Sequence, residues 1–246
     1  MNKAGRMLKT EKISDICEER FLTRMEVYNI RSQFAGLCLM SKEDEQREQA
    51  ALRAAQDGGK GGKAGKKGKG GAIDGAGDAQ DEGRALGIAG RQQEGIGLSF
   101  FKKNCSFLAG CQGEIVERIL VASGLDIESA NTVIDWGTYL DLYCIFEAGG
   151  IDKKKLITFW IKFFDRTARG AVPEKEYLPV LEQLVRGNAL KDPSATTKLF
   201  AEMFQTMMEK AGCLDESRAI VNEKLADAFE KEAIDIQLLC SALGRQ

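Results

Sequence analysis

The chain has 246 residues, with 35 Lys and Arg against 37 Asp and Glu, a formal net charge of −2 and 43% hydrophobic residues. It is long enough to bury a sizeable core, and so even a charge balance implies no global attraction to nucleic acid. Histidine is absent, which excludes Ser–His–Asp and Cys–His catalysis, imidazole metal ligation and the commonest general base.

Only three prolines, few β-branched runs and many Ala, Leu, Glu and Lys predict an all-α chain. No apolar run approaches the ~18 residues needed to span a bilayer, and the N-terminus MNKAGRMLKTEKIS lacks a signal-peptide core. The expectation is a cytoplasmic protein with no membrane partner. The seven cysteines, at 17, 38, 105, 111, 144, 213 and 240, contain no C-x-x-C pair. They suggest neither a zinc site nor a disulfide framework, and read as buried free thiols.

In chain order, residues 11–39 read as helical, with Ile13, Ile16, Cys17 and Phe21 at three- and four-residue spacing. Thr23 and Glu26 form a capping box that opens a second helix carrying Met25, Tyr28, Ile30, Phe34 and Leu37. Residues 41–95 form an insert of different character, read as largely disordered. Its charged, Ala-rich start EDEQREQAALRAA can extend the helix, whereas GGKGGKAGKKGKGGAIDGAGDAQDEG buries too little apolar surface to offset its ordering entropy. Further helices are predicted from Ser99, from Gly113 and over 135–147, the last with Trp136, Tyr139, Leu140, Tyr143 and Phe146 at helical spacing. Gly149 and Gly150 mark a hinge between lobes 1–148 and 151–246. The second lobe has amphipathic stretches at 153–164, 174–185, 196–210 and 222–242, with Pro179 expected to kink the second of them.

One stretch carries a specific motif. From Asp165 to Glu176 the sequence has the frame of a twelve-residue calcium loop: Asp first, Gly170 sixth for the sharp turn, Val172 eighth, and Glu176 last as the bidentate ligand. Thr167 and Arg169, however, stand third and fifth, where acidic or amide oxygens belong. Asp165, Thr167, the Ala171 carbonyl and Glu176 offer five oxygens before water, against the six to eight that calcium takes. An inward Arg169 within ~5 Å would cost roughly 6 kcal/mol against a dication at an effective dielectric near 20. The alternative, adopted here, is that Arg169 pairs with Asp165 or Glu176 and closes the loop without metal.

Three further loops follow by frame. With Ile134 eighth, Ile127 opens and Thr138 closes the second, leaving Ser129, Asn131 and Asp135 as isolated ligands. With Ile220 eighth, Cys213 opens the fourth, Arg218 replaces the turn glycine and Lys224 the final Glu. The first is split by the insert; its closing half is 96–101, with Phe100 in the closing place. None of the three is expected to hold metal.

With these frames in place the chain resembles the EF-hand superfamily in its two-lobed form, specifically the calaxin-type ciliary proteins related to the neuronal calcium sensors. The likeness is carried by CEERFLTRMEV at 17–27, by 164–184 and by the tail 220–243. It implies a two-lobed arrangement of paired helix–loop–helix units, and a setting on microtubules beside outer-arm dynein. Its calcium-ligating pattern maps only to Asp165 and Glu176, so no cofactor is expected.

Two features suggest partners. Phe200, Met203, Phe204, Met207 and Met208 form an apolar stripe of the kind that clasps a partner helix; the alternative is ordinary core. Phe159, Trp160, Phe163 and Phe164 form another. The last helix, with Ile236, Leu239, Cys240 and Leu243, can instead fill its own lobe's groove. Lys60, Lys63, Lys66, Lys67 and Lys69 suit acidic tubulin tails or a plain solvated linker, and without interleaved aromatics they do not suit single-stranded nucleic acid. The functional expectation is a non-catalytic adaptor binding protein partners of the tubulin or dynein type in a cytoskeletal assembly, with a low-affinity calcium sensor as the alternative.

Overall fold

The computed structural model describes residues 10–58, 95–109, 111, 113–129, 131–148, 151–184 and 193–243. The GGKGG-rich segment with its lysines, and the Gly149 and Gly150 hinge, lie outside them. The described chain is mostly helical, with two small antiparallel ribbons.

Helix α1 (Thr10–Arg20) ends at Phe21, which takes a left-handed φ of 53°. The Leu22 N–H then closes on the Cys17 carbonyl at 3.1 Å, a compact helix stop. The capping box forms as predicted: the Thr23 N–H donates to Glu26 Oε2 at 2.7 Å, and the Glu26 N–H to Thr23 Oγ1 at 3.3 Å. It opens α2 (Arg24–Gly58), which runs 35 residues. The charged, Ala-rich start of the insert extends the helix, as its sequence allows, and 41–58 is helical. Ser41 is buried and accepts a 3.0 Å bond from the Gly97 N–H, tying the helix to the first ribbon.

The first ribbon pairs β1 (Ile96–Gly97) with β2 (Val133–Ile134), Ile96 opposite Ile134. Gly97 lies close against α2, where a Cβ would meet Glu45 Oε1 at 2.9 Å and Ser41 Oγ at 3.2 Å. Between the strands lie α3 (Leu98–Asn104), a 3₁₀ turn (Ser106–Leu108) and α4 (Gly113–Ala122). After β2, Asp135 caps α5 (Trp136–Tyr143) by accepting from the Thr138 N–H at 2.8 Å; a π-helical turn (Cys144–Ala148) follows.

The second ribbon pairs β3 (Ala171–Val172) with β4 (Ile220–Val221), Val172 opposite Ile220. Helix α6 (Lys153–Phe164) leads into β3, and α7 (Glu174–Leu184), with Pro179 inside it, leads out. Helix α8 (Pro193–Lys210) leads to β4 and α9 (Asn222–Glu230). The predicted single helix over 222–242 is broken. Glu232 adopts φ 59°, Ile234 and Ile236 turn into the core, and α10 (Gln237–Leu243) starts anew.

One continuous core runs through both halves. Phe34, Phe101, Phe107, Trp136, Tyr139 and Phe146 meet in the first, with ring centroids between 5.3 and 6.3 Å. Trp160 and Phe163 meet at 5.0 Å in the second, and both are fully buried. Each such side chain contributes roughly 1.5–3 kcal/mol of burial. The halves join where α4 packs on α6, and where α10 packs on α7 and the π turn. Leu239, Cys240 and Leu243 of α10 are buried there, so the last helix spends its apolar face inside the molecule. All seven cysteines are free thiols and five are buried, with Cys17 and Cys111 partly exposed.

Candidate functional site

The site sits between α6 and α7, at the second ribbon. Helix α6 ends at Phe164, and the Asp165 N–H still donates to the Ile161 carbonyl at 2.9 Å. That aims the Asp165 side chain back into the loop, where it is 4% exposed. Gly170, at φ 83°, turns its N–H onto Asp165 Oδ2 at 2.8 Å; a Cβ is strained in that region. Asn222, from the start of α9, donates Nδ2 to the same oxygen at 2.8 Å, and its own N–H goes to the Gly170 carbonyl at 3.0 Å. Thr167 Oγ1 lies 3.4 Å from Asp165 Oδ1. Burial works against the charge of Asp165, but the donors from Arg169, Gly170 and Asn222 outweigh it and hold the carboxyl below its usual range.

At the loop's other end the Arg169 guanidinium forks onto both oxygens of Glu176, with Nη1 3.3 Å from Oε1 and Nη2 on Oε2. Hydrogen bonding from Arg169 lowers the Glu176 pKa, and the same bond raises that of Arg169. The expected pairing of Arg169 with a loop carboxylate thus falls on Glu176, in the bidentate geometry that suits a guanidinium. Both side chains are partly solvated, at 48% and 37% exposure.

These residues do not fit a calcium ion as they stand. Calcium takes six to eight oxygens; here both Glu176 oxygens are given to Arg169 and the buried Asp165 oxygen to two donors. Among the described residues no three His, Cys, Asp or Glu side chains group to hold a metal ion.

The fourth loop closes differently. Asp215 Oδ1 accepts from the Ser217 N–H at 2.8 Å, Ser217 Oγ at 2.7 Å and the Ala219 N–H at 2.9 Å, and the Ser217 hydroxyl leads the causes that lower its pKa. Arg218 holds the turn glycine's place at φ 63° and reaches out of the loop, to Glu209 at 2.7 Å and Glu174 at 3.1 Å. In the second loop, Ser129 Oγ accepts from the Asn131 N–H at 3.4 Å and Asp135 is the cap of α5. Phe100, in the closing place of the first, is buried.

The stripe on α8 divides. Phe204 and Met208 are fully buried, Phe200 and Met207 partly, and Met203 is 42% exposed. The five do not form one docking face; helical spacing alone did not distinguish the core side from the solvent side.

Sequence reasoning missed Arg118 of α4. Its Nη1 donates to the Phe163 and Phe164 carbonyls at 3.1 and 3.2 Å, while Glu114 steadies Nε and Nη2 at 3.1 and 3.0 Å. A cation on the last carbonyls of α6 satisfies groups the helix leaves open, and it braces the entrance to the third loop from the other half. The four-residue spacing of Glu114 and Arg118 was the available signal.

Among the described residues no helix is long and apolar enough to cross a membrane. The chain matches no protein-family model, and no curated protein matches it.

Proposed function

We propose that the protein is a non-catalytic adaptor on a degenerate EF-hand-like scaffold, acting without calcium or other cofactor as a fixed part of a cytoskeletal assembly. The observation that carries this reading is the Arg169 guanidinium bound to both oxygens of Glu176. A tethered cation stands where a sensor would exchange a free one. Support for the scaffold comes from the ribbons: the eighth-place residues pair two by two, Ile96 with Ile134 and Val172 with Ile220. The short stretches similar to calaxin-type proteins favour the ciliary or flagellar axoneme, with tubulin- or dynein-type partners.

The test is Trp160 fluorescence. This ring is fully buried and touches Phe163 and Phe164, next to Asp165. With Trp136 replaced by Phe, calcium titration leaves its emission unchanged; a saturable change at micromolar calcium sinks the proposal. A second reading is a low-affinity, single-site sensor. It is favoured by the partial exposure of Arg169 and Glu176, since a guanidinium that swings to solvent frees Glu176 beside Asp165, Thr167 and the Ala171 carbonyl. Calorimetry on wild type and Glu176→Gln separates the two, because only a sensor shows binding heat that the substitution abolishes.

A further inference from the structure

Helix α6 begins against its own electrostatics. Lys153, Lys154 and Lys155 occupy its first turn, where the positive end of the helix dipole disfavours cations. The Asp152 cap is already committed, its Oδ1 accepting from the Lys154 and Lys155 N–H groups at 2.9 and 3.1 Å. Lys153 is compensated by Glu232 at 3.0 Å and the Glu230 carbonyl at 3.1 Å. Lys154, Lys155 and Lys162 have exposed side chains and make no ion pair with a described residue.

These three lysines rim a groove of about 350 Å³ between α6, α5 and the end of α4. Its apolar lining includes Ile145, Ile151 and Phe159, and Ser123, Thr138 and Thr158 add hydroxyls. The carboxylate in the lining, Asp141, is paired with the buried Arg20. Among the described residues, no carboxylate pairs with these three ammonium groups around the concave apolar floor.

We propose that this groove docks an acidic, amphipathic peptide segment of a partner protein, with one or two apolar side chains on the floor and flanking carboxylates on Lys154, Lys155 and Lys162. Charge complementarity sets the sign of the partner. The concave floor sets its class, since a flat lipid surface does not reach into a groove and no exposed aromatic ring lines it for base stacking. The assignment gives the adaptor a partner surface and rests on that reading only for a protein partner. Calcium titration reports on the loops separately, so the two can fail independently.

The experiment is fluorescence anisotropy with a labelled helical peptide of Glu and Ala carrying two Leu one turn apart. It is titrated with full-length protein in which Lys60, Lys63, Lys66, Lys67 and Lys69 are Gln, so that the basic run adds nothing. Reversing Lys154, Lys155 and Lys162 to Glu weakens binding at least about tenfold; replacing the three by Arg retains it, and replacing the peptide's Leu by Ala weakens it. Reversing Lys103, Lys198 and Lys210, the same charge change elsewhere, leaves it within about twofold. Equal losses in the two reversals overturn the proposal. So does lysine-dependent preference for duplex DNA or phosphatidylserine vesicles, or self-association of the full chain through these lysines in sedimentation.

Discussion

The third and fourth loops, joined by one ribbon, each carry an arginine that pairs with carboxylates, but in opposite ways. In the third, Arg169 stays inside the loop and binds its last residue, Glu176, while buried Asp165 gathers Gly170 and Asn222. In the fourth, Arg218 leaves the loop for Glu174 and Glu209, and the loop's own turn hangs on exposed Asp215. The arginines are about equally exposed, at 48% and 51%, and what differs is that one closure is internal beside buried Asp165 and the other external beside exposed Asp215. Both loops close on the one ribbon, with Val172 opposite Ile220, so a shared hydrophobic frame carries two different charged closures.

The comparison breaks most sharply at the two aspartates. Asp165→Ala leaves the Gly170 N–H and the Asn222 amide without their shared, part-buried acceptor, and is expected to cost about 1–3 kcal/mol in urea unfolding. Asp215→Ala removes bonds that water can replace, so its midpoint moves much less. Equal shifts would erase the distinction between the closures.

The turn positions come next. Gly170→Ala forces a Cβ into φ 83° and is expected to cost about 1 kcal/mol. Arg218→Gly relieves a left-handed side chain while losing two solvated ion pairs, so the terms offset and stability changes by less than about 1 kcal/mol. A large loss at Arg218 would mean that its external pairs hold the ribbon together.

The smallest difference is in acid. Asp165, Glu176 and Asp215 all have lowered pKa values, so the unfolded chain takes up protons at higher pH than the folded one. Their contribution is complete above about pH 4.5 and is lost as pH falls through the folded values. Thermal melts between pH 6 and pH 3 should fall less steeply for Asp165→Ala than for the parent. A steeper fall would contradict the assigned direction.

Much of this was legible in the sequence because it is local. The Thr23 and Glu26 box, the eighth-place Ile134, Val172 and Ile220, and the pairing of Arg169 with one of the two loop carboxylates, Asp165 or Glu176, all follow from spacing. What escaped depends on elements meeting. Asn222 reaches Asp165 across the ribbon, Arg118 reaches α6 from the other half, and Arg218 finds Glu174 and Glu209 on separate helices. The helical start of the insert was legible in EDEQREQAALRAA, but not the Ser41 bond to Gly97 that spans the rest of it. The break before α10 was missed because helical periodicity continues across Glu232 even though the backbone turns there.

The most direct test of Arg169 as a built-in cation is calcium calorimetry on the parent beside Arg169→Asp. That substitution puts a carboxylate in the fifth place and frees both Glu176 oxygens. The account predicts no binding heat for the parent and a single saturable site for Arg169→Asp, abolished by adding Glu176→Gln. Saturable micromolar binding by the parent, or an Arg169→Asp protein as silent as the parent, would contradict it.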